Sequence, residues 1–344
     1  MTFPSKDFIQ VFSKKNILIF VIGLITGLSI ALLICHFWKD QLPENPSIQE
    51  SREEGYRYIS PLLECEAFSI SDSILTKKTT QTINLLIKNY QDQGYLKNAS
   101  VYFRDLNNGP WFVVNEEETF NLASLFKVPI LVAYLKQAET NPETLTIPLT
   151  LINNEEIISQ EFNSASPLEK GKEYTTEKLL TQLIVDSDNS VLETLVENIG
   201  QDYLEKTEGN LGLKYSNPAN GDYTIKVKDY SSVFRRLYNA SYLNNEMSEK
   251  ALEILSRVKF DRGLKAGIPQ NVEIAHKFGE RTFVDRSQQP LEKELHDCGI
   301  IYHHQNPYIL CVMTSGNDLL KQASLIKDVS KSVYEMVDTQ AFEK

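Results

Sequence analysis

The stretch "NLASLFKVPILVAYLKQ", Asn121 to Gln137, holds a run from Val128 to Leu135 that is apolar on every side. A helix of that composition has no face to offer water, so other elements must surround it. The fold is therefore built around this segment, in the middle of a domain. At the mouth of the run stand Ser124 and Lys127, one helical turn apart on one face. A lysine entering an apolar interior is costly unless it is paired or used. Pro129 cannot donate to the carbonyl of Leu125, so the regular helix should start near Ser124 to Phe126, with the serine at its tip.

The elements on either side differ in kind. Before the buried helix, "TQTINLLIKNYQDQG" reads as an amphipathic helix ended by Gly94. "ASVYFRDL" and "GPWFVVN", split by Asn107-Asn108-Gly109, read as a hairpin. After it come five helical segments: "TTEKLLTQLIVDS", "SVLETLVENIG", "DYLEKTEGNLG", "VKDYSSVFRRLYNASY" and "SEKALEILSRV". Three strand-like runs follow, "VEIAHKFG", "ELHDCGIIYHH" and "YILCVMTSG", then a last helix from about Asp318 to Val337. Strands from both ends forming one sheet, with the middle inserted as a helical lobe, satisfy this order. A cleft is expected where lobe meets sheet.

The 344 residues suffice for one large domain or two small ones. Residues 17–38 lack any charged side chain and would reach roughly 33 Å as a helix, the thickness of a hydrocarbon core. No small-residue cleavage site follows, so an uncleaved anchor is favoured over a signal peptide. Lys6, Lys14 and Lys15 precede it, which places residues 1–16 in the cytoplasm and the rest outside the cell membrane. Residues 39–76, with Pro43, Pro46 and Pro61, read as a spacer, and residues 77–340 as the functional domain. The chain carries 46 Asp+Glu against 35 Lys+Arg, which disfavours nucleic acid as a partner. Cys65, Cys298 and Cys311 show no metal spacing. The last two sit in apolar strand-like runs and read as buried free thiols, with a disulfide to Cys65 the alternative.

Serine is a weak nucleophile until a base takes its proton, and a lysine one turn away can do so if partly neutral. Exposed N–H groups at the helix tip could stabilise an oxyanion. Taken alone, a capping serine and a snorkelling lysine explain the pair as well. The S-x-x-K spacing also occurs at Ser256/Lys259 and Ser324/Lys327, on polar helical surface. A second element is "DSDNS", Asp186 to Ser190, where Ser187 could relay a proton and Asn189 hold a substrate amide; a helix N-cap is the plain alternative. S-x-N recurs at Ser315/Asn317. A third is "HKFGE", His276 to Glu280, on a predicted strand. There Lys277 could meet a carboxylate, Gly279 permits close approach, and the N–H of Glu280 could donate to an oxyanion. An edge-strand lysine is the plain reading.

In order and spacing "SLFK", "SDN" and "HKFG" resemble the three boxes of class A β-lactamases and penicillin-binding proteins. Sixty-three and then ninety residues separate Ser124, Ser187 and Lys277, which suits the class A branch. The resemblance spans about Leu75 to Val337. It implies an α+β (α/β) fold: a five-stranded antiparallel sheet flanked by helices, plus an all-helical lobe, here preceded by the transmembrane helix. It implies that Ser124 attacks a β-lactam or peptidoglycan-like carbonyl, with Lys127 as its base. Ser187 would pass a proton to the leaving nitrogen. Asn189 would bind the substrate amide, and Lys277 the carboxylate. Asp188 would be structural, and the N–H groups of Ser124 and Glu280 would form the oxyanion hole. No metal or organic cofactor is needed.

Two departures stand out. Phe278 replaces a hydroxyl that faces the substrate carboxylate in the family, and adds bulk. The segment Leu213 to Tyr230 contains no glutamate, where class A enzymes keep the one that activates the deacylating water. Glu205 and Glu208 lie upstream and read as surface positions; Asp222 and Asp229 are the carboxylates nearest the gap. Slow release of the acyl group is therefore expected. The alternatives are a penicillin-binding-type D,D-peptidase or esterase acting on cell-wall material, and a non-catalytic ectodomain that binds wall fragments or a protein.

Overall fold

The structure is a computed structural model. It describes residues 21–27, 55–61, 74–107, 109–152, 160–162, 168–216, 223–285, 287 and 289–342. Residues 21–27 form an exposed helix in a unit of their own. No helix among the described residues is long and apolar enough to cross a membrane, and most of the predicted span 17–38 lies outside them.

The domain has a five-stranded antiparallel sheet. Its strands are β1 (Leu96–Asp105), β2 (Trp111–Val114), β7 (Ile274–Val284), β8 (Pro290–Ile301) and β9 (Tyr308–Gly316), in the order β2-β1-β9-β8-β7. The N-terminal hairpin and the three C-terminal strands thus join through β1 and β9, as the strand material at both ends of the chain implied. Two short ribbons, β3 (Thr119–Asn121) with β6 (Thr224–Lys226) and β4 (Pro148–Thr150) with β5 (Glu173–Thr175), tie the lobe together. Helix α1 (Ile74–Asp92) and helix α8 (Leu319–Phe342) pack on each other, with the Tyr90 hydroxyl donating to Asp328 at 2.9 Å. With the outer face of the sheet they enclose one apolar cluster, which includes Ile83, Phe103, Leu310 and Val329.

A larger cluster fills the space between the sheet and the helical lobe. Its centre is α2 (Lys127–Ala138), in which every residue from Lys127 to Leu135 is buried. Around it lie α3 (Thr176–Val185), α4 (Leu192–Ile199), α5 (Gln201–Asn210), α6 (Val227–Tyr238) and α7 (Asn245–Ser256). The all-round apolar helix is wrapped on all sides, as its composition requires. Its one phenol is satisfied there: Tyr134 donates to the Leu195 carbonyl at 2.7 Å.

Two details depart from the sequence reading. Residues 55–61, inside the predicted spacer, pack on the domain. Glu249 accepts the N–H groups of Arg57, Tyr58 and Ile59 at 2.8–3.0 Å, and Tyr58 and Ile59 are buried. Cys298 and Cys311 are buried but not free; they form a disulfide, while Cys65 lies outside the described residues. The cause is register. The two cysteines face each other directly across β8 and β9, with Cα atoms 3.9 Å apart.

Candidate active site

Ser124 sits in a turn of 3₁₀ helix, Ala123–Phe126, that leads straight into α2. The chain reaches this turn through Ala123 at φ +46°, a left-handed conformation that is strained for a residue with a Cβ. The Asn121 side chain holds the bend by accepting the N–H of Ala123 at 2.9 Å. The result is a buried serine at the helix tip, 6% exposed. Its Oγ accepts a hydrogen bond from Gln160 Nε2 at 3.0 Å.

One turn on, Lys127 points into the lobe and donates to the carbonyl and, at 3.2 Å, to the hydroxyl of Ser187. Ser187 lies on the tight turn after α3, also at a left-handed φ of +55°. The turn is shaped by buried Asp188, whose Oδ1 accepts the N–H of Ser190 at 2.8 Å. That is the structural role expected of it. From the sheet side, Lys277 of β7 donates to the same Ser187 hydroxyl at 2.9 Å and to its neighbour's carbonyl, that of Phe278, at 2.8 Å. Two lysine nitrogens therefore converge on one hydroxyl. Burial, and then the Lys127 ammonium, hold Lys277 well below the ordinary lysine range. Crowding of this kind disfavours two charges at once; the shift falls on Lys277, and Lys127 can act as a base only in the state in which Lys277 keeps the proton.

Behind Lys277 the strand is braced. His276 Nδ1 lies 2.8 Å from Asp297 of β8, whose other oxygen accepts the N–H of Leu264 at 2.9 Å. In front, Gly279 passes the serine turn so closely that a Cβ there would lie 3.0 Å from the backbone nitrogens of Ser124 and Leu125. Glycine lets the strand come this near without displacing the turn, and the approach puts the N–H groups of Ser124 and Glu280 on neighbouring elements.

A cavity of about 650 Å³ opens over Ser124. Of the predicted residues, Ser124, Lys127, Asn189 and Glu280 line it. Ser187, Lys277 and Gly279 sit immediately behind its wall. Phe278 is a correction. Its side chain does not line the cleft; it is buried and stacks on Phe260 at 4.3 Å in the apolar cluster of the outer sheet face. Strand alternation turns it away from the side that Gly279 presents to Ser124. Its ring instead lies 4.1 Å from the Lys277 ammonium.

Glu208 is a second correction, while its neighbour Glu205 is a surface residue as expected. Both line the same cavity as Ser124. Glu205 is exposed, but Glu208 is 8% exposed. Burial pushes its carboxyl up to about 7, against a lowering by the Tyr215 hydroxyl and with a further raise from Glu205. Glu280, across the cleft on β7, is also pushed up to about 7, chiefly by burial. Asp222 lies outside the described residues, and Asp229, in the first turn of α6, is not among the lining residues. Sequence reasoning also missed Gln160, Tyr215 and Tyr223. Gln160 lies in a stretch whose sequence has no periodicity to betray it. The spacing of Gln201, Glu205, Glu208 and Gly209 on α5 did hold a signal, because it puts them on one helical face.

A model of the beta-lactamase enzyme family matches residues 78–337. No curated protein is recognisably similar in sequence. Among solved structures, PBP-A is 24% identical, with 80% of this chain and 99% of that chain covered and a TM-score of 0.64. A β-lactamase from Chitinophaga pinensis DSM 2588 is 18% identical, with 76% and 99% covered and a TM-score of 0.64. A class A β-lactamase representative from Bacteroides cellulosilyticus DSM 14838 is 18% identical, with 78% and 100% covered and a TM-score of 0.65. At these identities the likeness speaks to the fold, and the family match extends it to the chemistry. The chain belongs to the beta-lactamase enzyme family and is a serine hydrolase.

Proposed function

We propose that this is a membrane-anchored, extracytoplasmic hydrolase that is acylated at Ser124 by β-lactams or related amides and loses the acyl group slowly. The observation that carries it is the convergence of Lys127 and Lys277 on the Ser187 hydroxyl beside a buried helix-tip serine. In the acylation step Lys127 Nζ takes the proton of Ser124 as Oγ bonds to the substrate carbonyl carbon. The carbonyl oxygen becomes an oxyanion facing the N–H groups of Ser124 and Glu280. Collapse breaks the C–N bond, and Ser187, recharged from the lysine pair, gives its proton to the leaving nitrogen.

Slow release is supported by what stands beside the nucleophile. The partner described for Ser124 Oγ is the Gln160 amide, which can orient a water but has no basicity to activate it. The anchor is supported by the uncharged residues 17–38 and the lysines before them. A similar solved structure, a point mutant of PBP-A, is described as an acyl-enzyme complex with penicillin-G. Intact-mass analysis after exposure to penicillin tests the reading: a persistent adduct on the wild type, absent in Ser124→Ala, is expected. Rapid turnover of a chromogenic cephalosporin would sink it.

The second reading, a D,D-peptidase on cell-wall peptides, is favoured by the absence of glutamate from Leu213–Tyr230. Release of a terminal D-residue from a peptide substrate, faster than any β-lactam turnover, would select it.

A further inference from the structure

Three buried acceptor oxygens on residues that line this cleft, Gln160 Oε1, Glu208 Oε1 and Glu280 Oε2, have no hydrogen-bond partner among the described residues, and neither has the Tyr215 hydroxyl beside Glu208. A buried acceptor left unpaired is destabilising, on the order of 1–3 kcal/mol, so each is a place where a donor is wanted. The α5 wall is the most one-sided. It presents Gln201, Glu205, Glu208 and Gly209 to the cavity, and none of the lining residues on this helix is cationic. Glu208 is 8% exposed yet its Oε1 is unsatisfied. Beside it the rings of Tyr215 and Tyr223 stand edge to face at 5.2 Å and line the same cavity. Carboxylates beside aromatic rings make an environment that can recognise an ammonium group.

We propose that Glu208, Glu205, Tyr215 and Tyr223 form a subsite for a primary ammonium carried on the acyl portion of the substrate. The proposal rests on acylation at Ser124, and it names the chemistry of the group that sits at the far end of the same cleft. The cavity reaches from Ser124 to α5, so one molecule spans both. Lys127, which lines the cavity with Ser124, is turned toward Ser187. Arg281 lines the opposite wall on β7, together with Glu280.

The test uses penicillins whose acyl arm ends in a primary amine two to six carbons from the amide, each against its N-acetylated form. The readout is the second-order rate of mass gain on the intact protein. At the best arm length the amine is expected to react roughly tenfold faster than its acetylated partner, as a charge-assisted contact allows. In Glu208→Gln the ratio is expected to fall to within about twofold. Gly209→Lys is the second variant. A side chain there enters open space, so it would place an ammonium in the subsite without a clash, and the ratio should fall again. A wild-type ratio near one at every arm length, or an unchanged ratio in both variants, overturns the proposal. So does slower deacylation in Glu208→Gln with no change in preference, which would make Glu208 a water-activating base. Calorimetry with 1,6-diaminohexane on the unacylated protein separates the two readings. Binding that Glu208→Gln abolishes, with no acylation by either series, keeps the subsite and removes the acylation reading. Acylation without preference and without diamine binding does the reverse.

Discussion

The wall of the cleft that carries Ser124 and the wall formed by α5 differ in how far their polar groups satisfy one another. Behind Ser124, Lys127, Ser187 and Lys277 make a closed set in which each nitrogen has acceptors and the shared hydroxyl has two donors. On α5, Glu208 is buried with one oxygen unpaired among the described residues. A closed set of donors and acceptors holds its geometry before substrate arrives, which is what attack on a carbonyl requires. An open acceptor can take a donor, and none among the described residues fills this one. The difference is the one expected if one wall is organised for reaction and the other, as proposed, for recognition.

The largest effect should come from the closed wall. Ser124→Ala should abolish penicillin labelling, and Lys127→Ala should lower the acylation rate by about 10³-fold or more, as for linked catalytic groups elsewhere. Near-normal acylation in Lys127→Ala would break the assignment of the base. Next, Gly279→Ala puts a methyl 3.0 Å from the backbone nitrogens of Ser124 and Leu125. The serine turn must shift by a few tenths of an ångström, and acylation should fall by roughly 10²-fold with the fold retained in circular dichroism. Third, Phe278→Ala should destabilise by about 3–5 kcal/mol in urea unfolding, since the ring is a buried core side chain stacked on Phe260. A large change in substrate preference with little loss of stability would return Phe278 to the cleft.

The smaller effects belong to the disulfide and the carboxylates. Reducing Cys298–Cys311, which closes a loop of sequence separation 13, should cost about 2–3 kcal/mol of stability. Glu208 and Glu280 rise in the fold from 4.5 to about 7. Between those values the folded state keeps protons that the unfolded chain has released. Their contribution is therefore complete below pH 4.5 and is lost as pH rises through about 7. Melting temperature should fall across that window, by the equivalent of about 1–2 kcal/mol per carboxyl, and Glu208→Gln should flatten the fall. A flat profile in the wild type would place Glu208 in water and end the contrast between the walls.

Much of the architecture was legible along the chain. The buried helix, the hairpin, the helical lobe and the three closing strands each follow from apolar periodicity and turn residues, and each lies where the pattern put it. The motif residues on the reaction wall were legible because a serine, a lysine and a second serine recur at family spacing. The α5 wall was not. Glu205 and Glu208 look like any charged residues on an amphipathic helix, and whether they meet water depends on what lies opposite them. Phe278 was misplaced for a related reason. Box alignment assigns a position, but the pleat of β7 decides which face the ring takes.

The sequence by itself determined that one helix must be buried and that a serine and a lysine open it. It also determined that strands from both ends of the chain must share a sheet, because local patterns of apolar residues admit few arrangements. Tertiary structure alone decided three things. It brought Lys127 and Lys277, which stand 60 residues before and 90 residues after Ser187, to the same hydroxyl. It set Cys298 against Cys311. And it turned Glu208 from surface into cleft. Each depends on the distance between groups far apart in sequence, and burial and charge interaction follow from that distance rather than from residue type.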